Sequence, residues 1–226
     1  DFTNVTDVTF SGGTGSWGSN TLQNGKITNN YTTSITVVTN EELTVTENID
    51  PPSGTQTDTS TITTIAGTAA KVVMTPETDT SHVAGTVLPF TAELQDANGN
   101  HIDFTNVTDV TFSGGTGSWG GNNTLTADKT ITCVYTTSTT VVTDEELTVT
   151  ENLTTPEGGQ TDTSTITTIA GTAAKVRVET ASDGTGTVVP AQNVVSGSLI
   201  TVYAITRDAN DNFMENVAAD PWSLIN

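Results

Sequence analysis

The sequence has few basic residues and few aromatic ones. Six Lys and Arg side chains stand against 26 Asp and Glu, which gives a formal net charge of -20 at pH 7. Nucleic acid is excluded as a partner, because no basic patch is present to displace counterions from phosphates. An anionic membrane surface would repel the chain for the same reason, so no direct membrane contact is expected. Aromatic residues make up 5% of the chain, which disfavours a binding face built on exposed rings.

The residues of familiar catalytic and metal sites are also scarce. One cysteine, Cys133, gives no disulfide framework, and the two histidines are His82 and His101. No Ser/His/Asp set, zinc-ligand spacing or phosphate loop is present. We therefore expect no enzyme and no required cofactor. No apolar run approaches a membrane span, and the chain neither begins with Met nor carries a signal peptide, so a processed or excised polypeptide is expected.

What the chain does have is repetition. Residues 1–18 and 103–120 are identical, and so are residues 56–72 and 160–176. The offset is 102 residues in the first pair and 104 in the second. A period of this length exceeds the roughly 20 to 50 residues of a solenoid unit and matches a folded domain. The sequence therefore predicts whole domains used in series.

Composition and periodicity both indicate strands. Threonine, which favours extended backbone, is abundant, and helix-forming residues are scattered. Apolar residues alternate at Leu88, Phe90, Ala92 and Leu94, and again at Ile200, Val202 and Ala204, so these side chains are predicted to face inward. About seven short strands per repeat are separated by Gly, Asn, Pro and Asp. The predicted fold is all-β, with tandem Ig-like β-sandwich domains in an elongated arrangement.

The phase of the repeat predicts three segments. Segment 1 (residues 1–65) carries the later strands of a repeat without its first two, segment 2 (66–169) is complete, and segment 3 (170–226) carries the opening strands of a diverged repeat. Two explanations remain open. The chain is a window of a longer tandem polypeptide, or subunits join head to tail, with residues 174–208 of one completing residues 1–65 of the next.

Several motifs resemble those of a known family. The opening strand AAKVVMTP, a VAGT or VSGS step, an alternating strand and a D-A-N-x-N turn resemble the Ig-like repeats of invasin/intimin-type bacterial adhesins, and filamin-like sandwiches share the layout. In such families the repeats are rigid spacers that hold a terminal binding domain away from the cell. The resemblance implies an extracellular structural role in an adhesin stalk, surface fibre or surface layer. The alternative is a calcium-dependent module that recognises glycan, ice or a host protein.

The D-A-N-x-N stretches are the main candidate sites. Asp and Asn at alternate positions offer the oxygen ligands that Ca²⁺ prefers. The same residue types favour a tight turn, and the stretch falls between two predicted strands, so a turn is favoured and calcium stays open. The candidate ligands are Asp96, Asn98, Asn100, Asp208, Asn210 and Asn212, with Glu77, Asp79 and Asp103 as supporting carboxylates.

Three further patterns carry weaker predictions. The pairs Glu41/Glu42 and Glu145/Glu146 are adjacent on a strand and point to opposite faces, so they are interpreted as a solvated strand edge and not as a hydrolytic pair. Trp17 and Trp119 follow a glycine-rich GGTGSW turn and are expected to cover the core. N-x-T sequons, which matter if the source organism glycosylates, occur at Asn4, Asn30, Asn106, Asn122 and Asn152.

Overall fold

The computed structural model describes residues 1–49, 55–77, 80–154 and 158–218. The regular elements among these residues are strands, apart from two short 3-10 turns, Val5–Asp7 and Val107–Asp109. Each turn begins at an Asn whose backbone N–H donates to the Asp three residues later, at 2.8 Å in both copies. The all-β prediction is confirmed. Within the described ranges, no helix is long and apolar enough to cross a membrane.

Segment 1 contributes one three-stranded sheet and two two-stranded sheets. The sheet is antiparallel in the order β1-β6-β7, β2 pairs with β5, and β3 pairs with β4. The bounds are β1 Val8–Gly12, β2 Ser16–Trp17, β3 Thr21–Gln23, β4 Lys26–Thr28, β5 Tyr31–Thr32, β6 Val38–Glu47 and β7 Thr57–Thr64.

Segment 2 contributes two complete sheets. One has the order β12-β15-β16-β9, in which β9 runs parallel to β16, and the other has the order β11-β10-β14-β13, with β8 also paired to β10. The bounds are β8 Ala69–Thr75, β9 Ser81–Val83, β10 Val87–Asp96, β11 His101–Ile102, β12 Val110–Gly114, β13 Ser118–Leu125, β14 Ile131–Thr136, β15 Val142–Glu151 and β16 Thr161–Ile169.

The two sheets of segment 2 enclose an aromatic core, as in an Ig-like sandwich. The ring of Trp119 on β13 lies 5.2 Å from Phe112 on the opposite sheet, 5.6 Å from Phe90 and 4.9 Å from Tyr135. Its indole N–H donates to the Gly114 carbonyl at 3.1 Å. Trp119 is half-buried and covers the core, as predicted.

The predicted inward face of β10 is largely confirmed. Phe90, Ala92 and Leu94 are buried, and Leu88 is half-buried near the start of the strand. Cross-strand pairing with β14 sets Phe90 opposite Cys133 and Ala92 opposite Ile131. The alternation therefore identified the buried face, because side chains on a strand point in turn to opposite sides of the sheet.

Segment 3 contributes a three-stranded sheet in the order β17-β18-β19. Ala204 is buried as predicted, but the prediction for Ile200 is wrong, since 44% of that residue is exposed. The strand begins only at Tyr203, so Ile200 and the half-buried Val202 lie in irregular chain. The bounds are β17 Lys175–Glu179, β18 Tyr203–Arg207 and β19 Phe213–Asn216.

Identical sequence gives identical strand pairing. Phe10 pairs with Val45 between β1 and β6, and Phe112 pairs with Val149 between β12 and β15. Such registers are set by the apolar pattern, because a slip of one residue would turn the buried side chains outward.

By compactness the chain divides into two units, Asp1–Lys71 with Leu94–Ile102 and Val72–Glu93 with Asp103–Asn226. These boundaries differ from those of segments 1, 2 and 3, which are ranges of the sequence repeat.

Candidate functional site

Segment 1 has an open core face. In segment 2, Tyr135, Leu147 and Val149 are each 0% exposed. The equivalent Tyr31, Leu43 and Val45 in segment 1 are only half-buried. The sheet that carries β8 and β10 covers the core in segment 2, and segment 1 has no sequence equivalent of those strands. The uncovered face holds a groove of about 220 Å³ lined by Phe10, Trp17, Leu43 and Val45 together with polar residues of β7.

Segment 3 has the reciprocal open face. Val72 on β8 is 3% exposed and Met74 is 0% exposed. Their equivalents on β17 are Val176 and Val178, which are 69% and 40% exposed. In segment 2 this strand lies against the sheet that contains β16, and the Met74 N–H donates to the Asp162 carboxylate at 2.7 Å. The same positions of segment 3 have no such cover among the described residues.

A buried carboxylate anchors each glycine-rich turn. The Tyr135 hydroxyl donates to the Glu145 carboxylate at 2.9 Å and accepts from the Gly117 N–H at 2.7 Å. Thr116 donates both its N–H and its hydroxyl to the other carboxylate oxygen. Burial, followed by the Glu145 carboxylate, raises the pKa of Tyr135 to about 12. The cluster contains one acid whose oxygens are already hydrogen-bonded, and the described part of the chain places no second acid among these hydrogen-bond partners.

The same cluster recurs in segment 1. The Tyr31 hydroxyl donates to Glu41 at 2.6 Å, and the Thr14 N–H donates to the same carboxylate at 2.7 Å. The Thr14 hydroxyl, followed by Tyr31, lowers the pKa of Glu41. Close approach of the tyrosine requires glycine, because a Cβ at Gly13, where φ is +78°, would overlap the Tyr31 hydroxyl.

The interpretation of the glutamate pairs as a solvated strand edge is wrong for one member of each pair. Glu41 and Glu145 are each 5% exposed, and their strands β6 and β15 lie inside their sheets. Glu42 and Glu146 are exposed, so the two members of a pair do point to opposite faces as predicted. The buried role of Glu41 and Glu145 is not visible in the sequence, because their partners, Tyr31 and Tyr135, lie on a different strand.

The Asp96 carboxylate closes its own loop. One oxygen accepts the N–H groups of Asn98 and Asn100, both at 2.9 Å. The other accepts the Asn100 side-chain amide at 2.9 Å and the Gly67 N–H at 2.8 Å. The Asn100 side chain, followed by the Gly67 N–H, lowers the pKa of Asp96 to about 2. Four N–H donors therefore face one anion.

The Asp208 loop repeats this geometry. The N–H groups of Asn210 and Asn212 donate at 2.8 and 2.9 Å. The Asn212 side-chain amide and the Gly171 N–H donate to the other oxygen, both at 2.9 Å. Burial raises the pKa of Asp208, but the bonds from Asn212 and Gly171 outweigh it and lower the pKa to about 2.

Both stretches are turns between paired strands, as predicted. Asn98 and Asn210 are exposed, and Glu77 is exposed on the chain after β8, while Asp79 lies outside the described residues. Across residues 1–49, 55–77, 80–154 and 158–218, no group of three His, Cys, Asp or Glu side chains could hold a metal ion. Calcium binding by these loops stays a prediction.

The sequons differ in how far their amides are engaged. Asn30 and Asn122 are exposed. The Asn152 side-chain N–H donates to the Thr108 carbonyl at 3.0 Å and to the Thr111 hydroxyl at 2.8 Å, and that of Asn106 donates to the Thr105 hydroxyl. The Asn4 side chain accepts from the Thr6 N–H at 3.2 Å. Glycosylation stays a prediction, with Asn30 and Asn122 the least engaged acceptors.

Comparison with known proteins gives structural matches only. No family model matches the sequence, and no curated protein shows significant similarity to it. The structure is similar to domains 4–9 of the surface layer protein SbsC at 16% identity, with a TM-score of 0.34 and coverage of 96% of this chain. It is similar to the Escherichia coli adhesin FdeC at 19% identity, with a TM-score of 0.39 and coverage of 90%.

A third match is to invasin, a bacterial integrin-binding protein, at 18% identity, with a TM-score of 0.37 and coverage of 92% of this chain. The resemblance is to bacterial surface proteins. The chain spans 30% of the SbsC structure, 62% of the FdeC structure and 40% of the invasin structure.

Proposed function

We propose that this chain is a non-catalytic structural repeat region of an extracellular surface protein, in which open sandwich faces are completed by neighbouring copies of the repeat. The proposal rests on one observation: positions that are buried in segment 2 are exposed or only half-buried at the equivalent places in segments 1 and 3. Val178 is 40% exposed where Met74 is 0% exposed, and Tyr31 is half-buried where Tyr135 is 0% exposed. The cell-surface location rests on the resemblance of the repeat motifs to adhesin repeats.

The energetic argument favours completion of both faces. Full burial of a Val, Leu or Phe side chain contributes about 1.5 to 3 kcal/mol relative to leaving it exposed. Segment 1 presents a half-buried set that includes Tyr31, Leu43 and Val45, and β17 presents two exposed valines, Val176 and Val178. An open sheet face of this kind also leaves strand edges free for pairing, and an added strand supplies backbone hydrogen bonds together with side-chain packing.

Two sources of the covering strands are distinguished by experiment. Subunits that complete one another head to tail associate as the chain concentration rises, and an interface that does not close grows a fibre. Neighbours within one longer polypeptide leave this chain monomeric. Sedimentation of the full chain over a wide concentration range separates the two.

The matched variants are Val178→Asp and Val134→Asp. The two valines are exposed to nearly the same extent, 40% and 42%, but only Val178 lies at a position whose equivalent is buried in segment 2. If the chain associates, we expect Val178→Asp to abolish the association and Val134→Asp to leave it intact.

If the chain is monomeric, two copies fused end to end supply the neighbouring copy in the same polypeptide. Protection of the Val178 amide should then rise in the fusion.

The proposal would be refuted if the chain is monomeric and β17 is as exposed in the fused form as in the single chain.

The alternative, a calcium-dependent module for glycan, ice or a host protein, makes a different prediction. It requires ligand binding that chelator removes, whereas the carboxylate oxygens of Asp96 and Asp208 already accept N–H donors.

A further inference from the structure

Asn100 does more than complete its own turn. Its side-chain amide donates to the Ile35 carbonyl at 2.8 Å, and its side-chain oxygen accepts the Val37 N–H at 3.1 Å. One side chain thus forms hydrogen bonds with a backbone C=O and a backbone N–H of the same loop, as the backbone of a paired strand would. The loop belongs to segment 1 and joins β5 to β6, whereas Asn100 follows β10 of segment 2.

The contact recurs one repeat later. The Asn212 side-chain amide donates to the Thr139 carbonyl at 2.9 Å, and its oxygen accepts the Val141 N–H at 3.2 Å. The residue at the carbonyl position is Ile35 in one copy and Thr139 in the other. The contact tolerates this change because it is made to the backbone and not to the side chain.

The receiving loops carry hydrogen bonds of their own. We call them the S-x-T-V loops, residues 34–37 and 138–141. In each, the serine hydroxyl accepts the threonine N–H two residues later at 3.1 Å, from Thr36 to Ser34 and from Thr140 to Ser138. Such local side-chain bonds fix a turn without help from the rest of the fold.

The donor loop is equally constrained. The Asp96 carboxylate accepts the Asn100 amide at 2.9 Å and also the N–H of Gly67, which lies just before β8. Asp208 accepts Asn212 and Gly171, which lies before β17, in the same way. Each aspartate therefore orients its asparagine and fixes the loop to the chain that enters the first strand of the same segment, and every donor is an N–H group.

We infer that the D-A-N-x-N loops, residues 96–100 and 208–212, are metal-independent docking elements whose partner is the backbone of the S-x-T-V loop in the preceding copy of the repeat. Asp96 and Asp208 act as positioning residues for Asn100 and Asn212. The inference does not rest on completion of the open faces, because both loops and both receiving segments lie in the described chain. It assigns the recurring D-A-N-x-N turn a role in joining successive copies.

The test measures amide hydrogen exchange at single residues by NMR in the full chain. The variants are Asn100→Asp and Asn212→Asp, each of which replaces the donor amide with an oxygen beside an aspartate. The matched control is Asn98→Asp, which makes the same charge change in the same loop at an exposed side chain. Spectra are recorded in calcium and in chelator.

Asn100→Asp removes the two hydrogen bonds that the Asn100 amide donates, to the Ile35 carbonyl and to Asp96, and it places two carboxylates side by side. The loop should then leave Val37, so exchange of the Val37 N–H should accelerate about tenfold and the Val141 N–H should stay unchanged. Asn212→Asp should give the reverse. Each variant therefore carries an internal folding control in the untouched loop. Unchanged exchange at Val37 in Asn100→Asp would overturn the inference, as would acceleration by Asn98→Asp equal to that of Asn100→Asp. Acceleration of both amides by chelator in the unsubstituted chain would overturn metal independence.

Discussion

At the scale of single residues, the same side chain is placed in two environments within one molecule. Tyr31 and Tyr135 have the same partners, a glutamate and a glycine N–H, but only Tyr135 is fully buried. A buried acceptor that loses its donor costs about 1 to 3 kcal/mol, and a solvated one costs less because water replaces the lost bond. The chain thus supplies its own control for the effect of burial.

Tyr135→Phe is expected to destabilise the protein by about 1 to 3 kcal/mol, because it leaves the buried Glu145 carboxylate without its hydroxyl donor. Glu41 and Glu145 are equally buried, at 5% exposure each, so the two acceptors are alike. Tyr31→Phe is expected to cost less because the Tyr31 ring is half-buried, and water that reaches its position can replace the lost hydroxyl. Urea unfolding of both variants measures the difference. Equal losses would show that the two environments are alike in solution.

The loop aspartates should titrate well below the ordinary value. The pKa of Asp96 and of Asp208 is lowered from 3.8 to about 2 by N–H donors. Because the pKa in the folded state is depressed, their stabilisation is present above about pH 4 and is lost as the pH falls towards 2. Carboxyl resonances followed by NMR should give midpoints near 2. Midpoints near 3.8 would mean that the loop bonds do not persist in solution.

At the scale of elements, the strands of segment 2 could be predicted and their partners could not. Alternation identified β10 and its buried Phe90, Ala92 and Leu94. The same pattern failed at Ile200, because alternation in sequence does not make a strand when no neighbour pairs with it. Predictions for the loops were limited in the same way, since the partners of Asn100 and Glu145 are distant in sequence.

For the D-A-N-x-N loops we expect no effect of calcium on stability. A cation bound to the native state alone would raise the free energy of unfolding by about 2.7 kcal/mol at a hundredfold excess over its Kd. The Asp96 oxygens already accept four N–H donors, and replacing these with a cation would break the loop. Melting in saturating calcium and in chelator should therefore coincide. A higher melting temperature in calcium would contradict this expectation and support calcium binding by these loops.

At the scale of the whole molecule, nearly identical sequences reach different degrees of burial. Leu147 and Ile166 of segment 2 are 0% and 1% exposed, and the equivalent Leu43 and Ile62 of segment 1 are half-buried. The pairing of β1, β6 and β7 is the same as that of β12, β15 and β16, so the difference comes from the second sheet. What the β1-β6-β7 sheet lacks is cover.

Amide exchange should report this difference directly. We expect the amides of β6 to exchange faster than those of β15 in dilute solution, because the uncovered sheet opens locally at lower cost. The gap should narrow at concentrations at which the chain associates, or in the fused form described above. Equal protection of the β6 and β15 amides in a monomer would show that the core face of segment 1 is not open.

The sequence by itself determined the strands, the period of the repeat and the turn at D-A-N-x-N. These follow from local preference and from a pattern that recurs along the chain. Only the tertiary structure decided that Glu41 and Glu145 are buried, that Asn100 and Asn212 bind the preceding copy, and which apolar side chains remain uncovered. Those outcomes depend on residues brought together from distant strands, and periodicity within one strand carries no information about its neighbour.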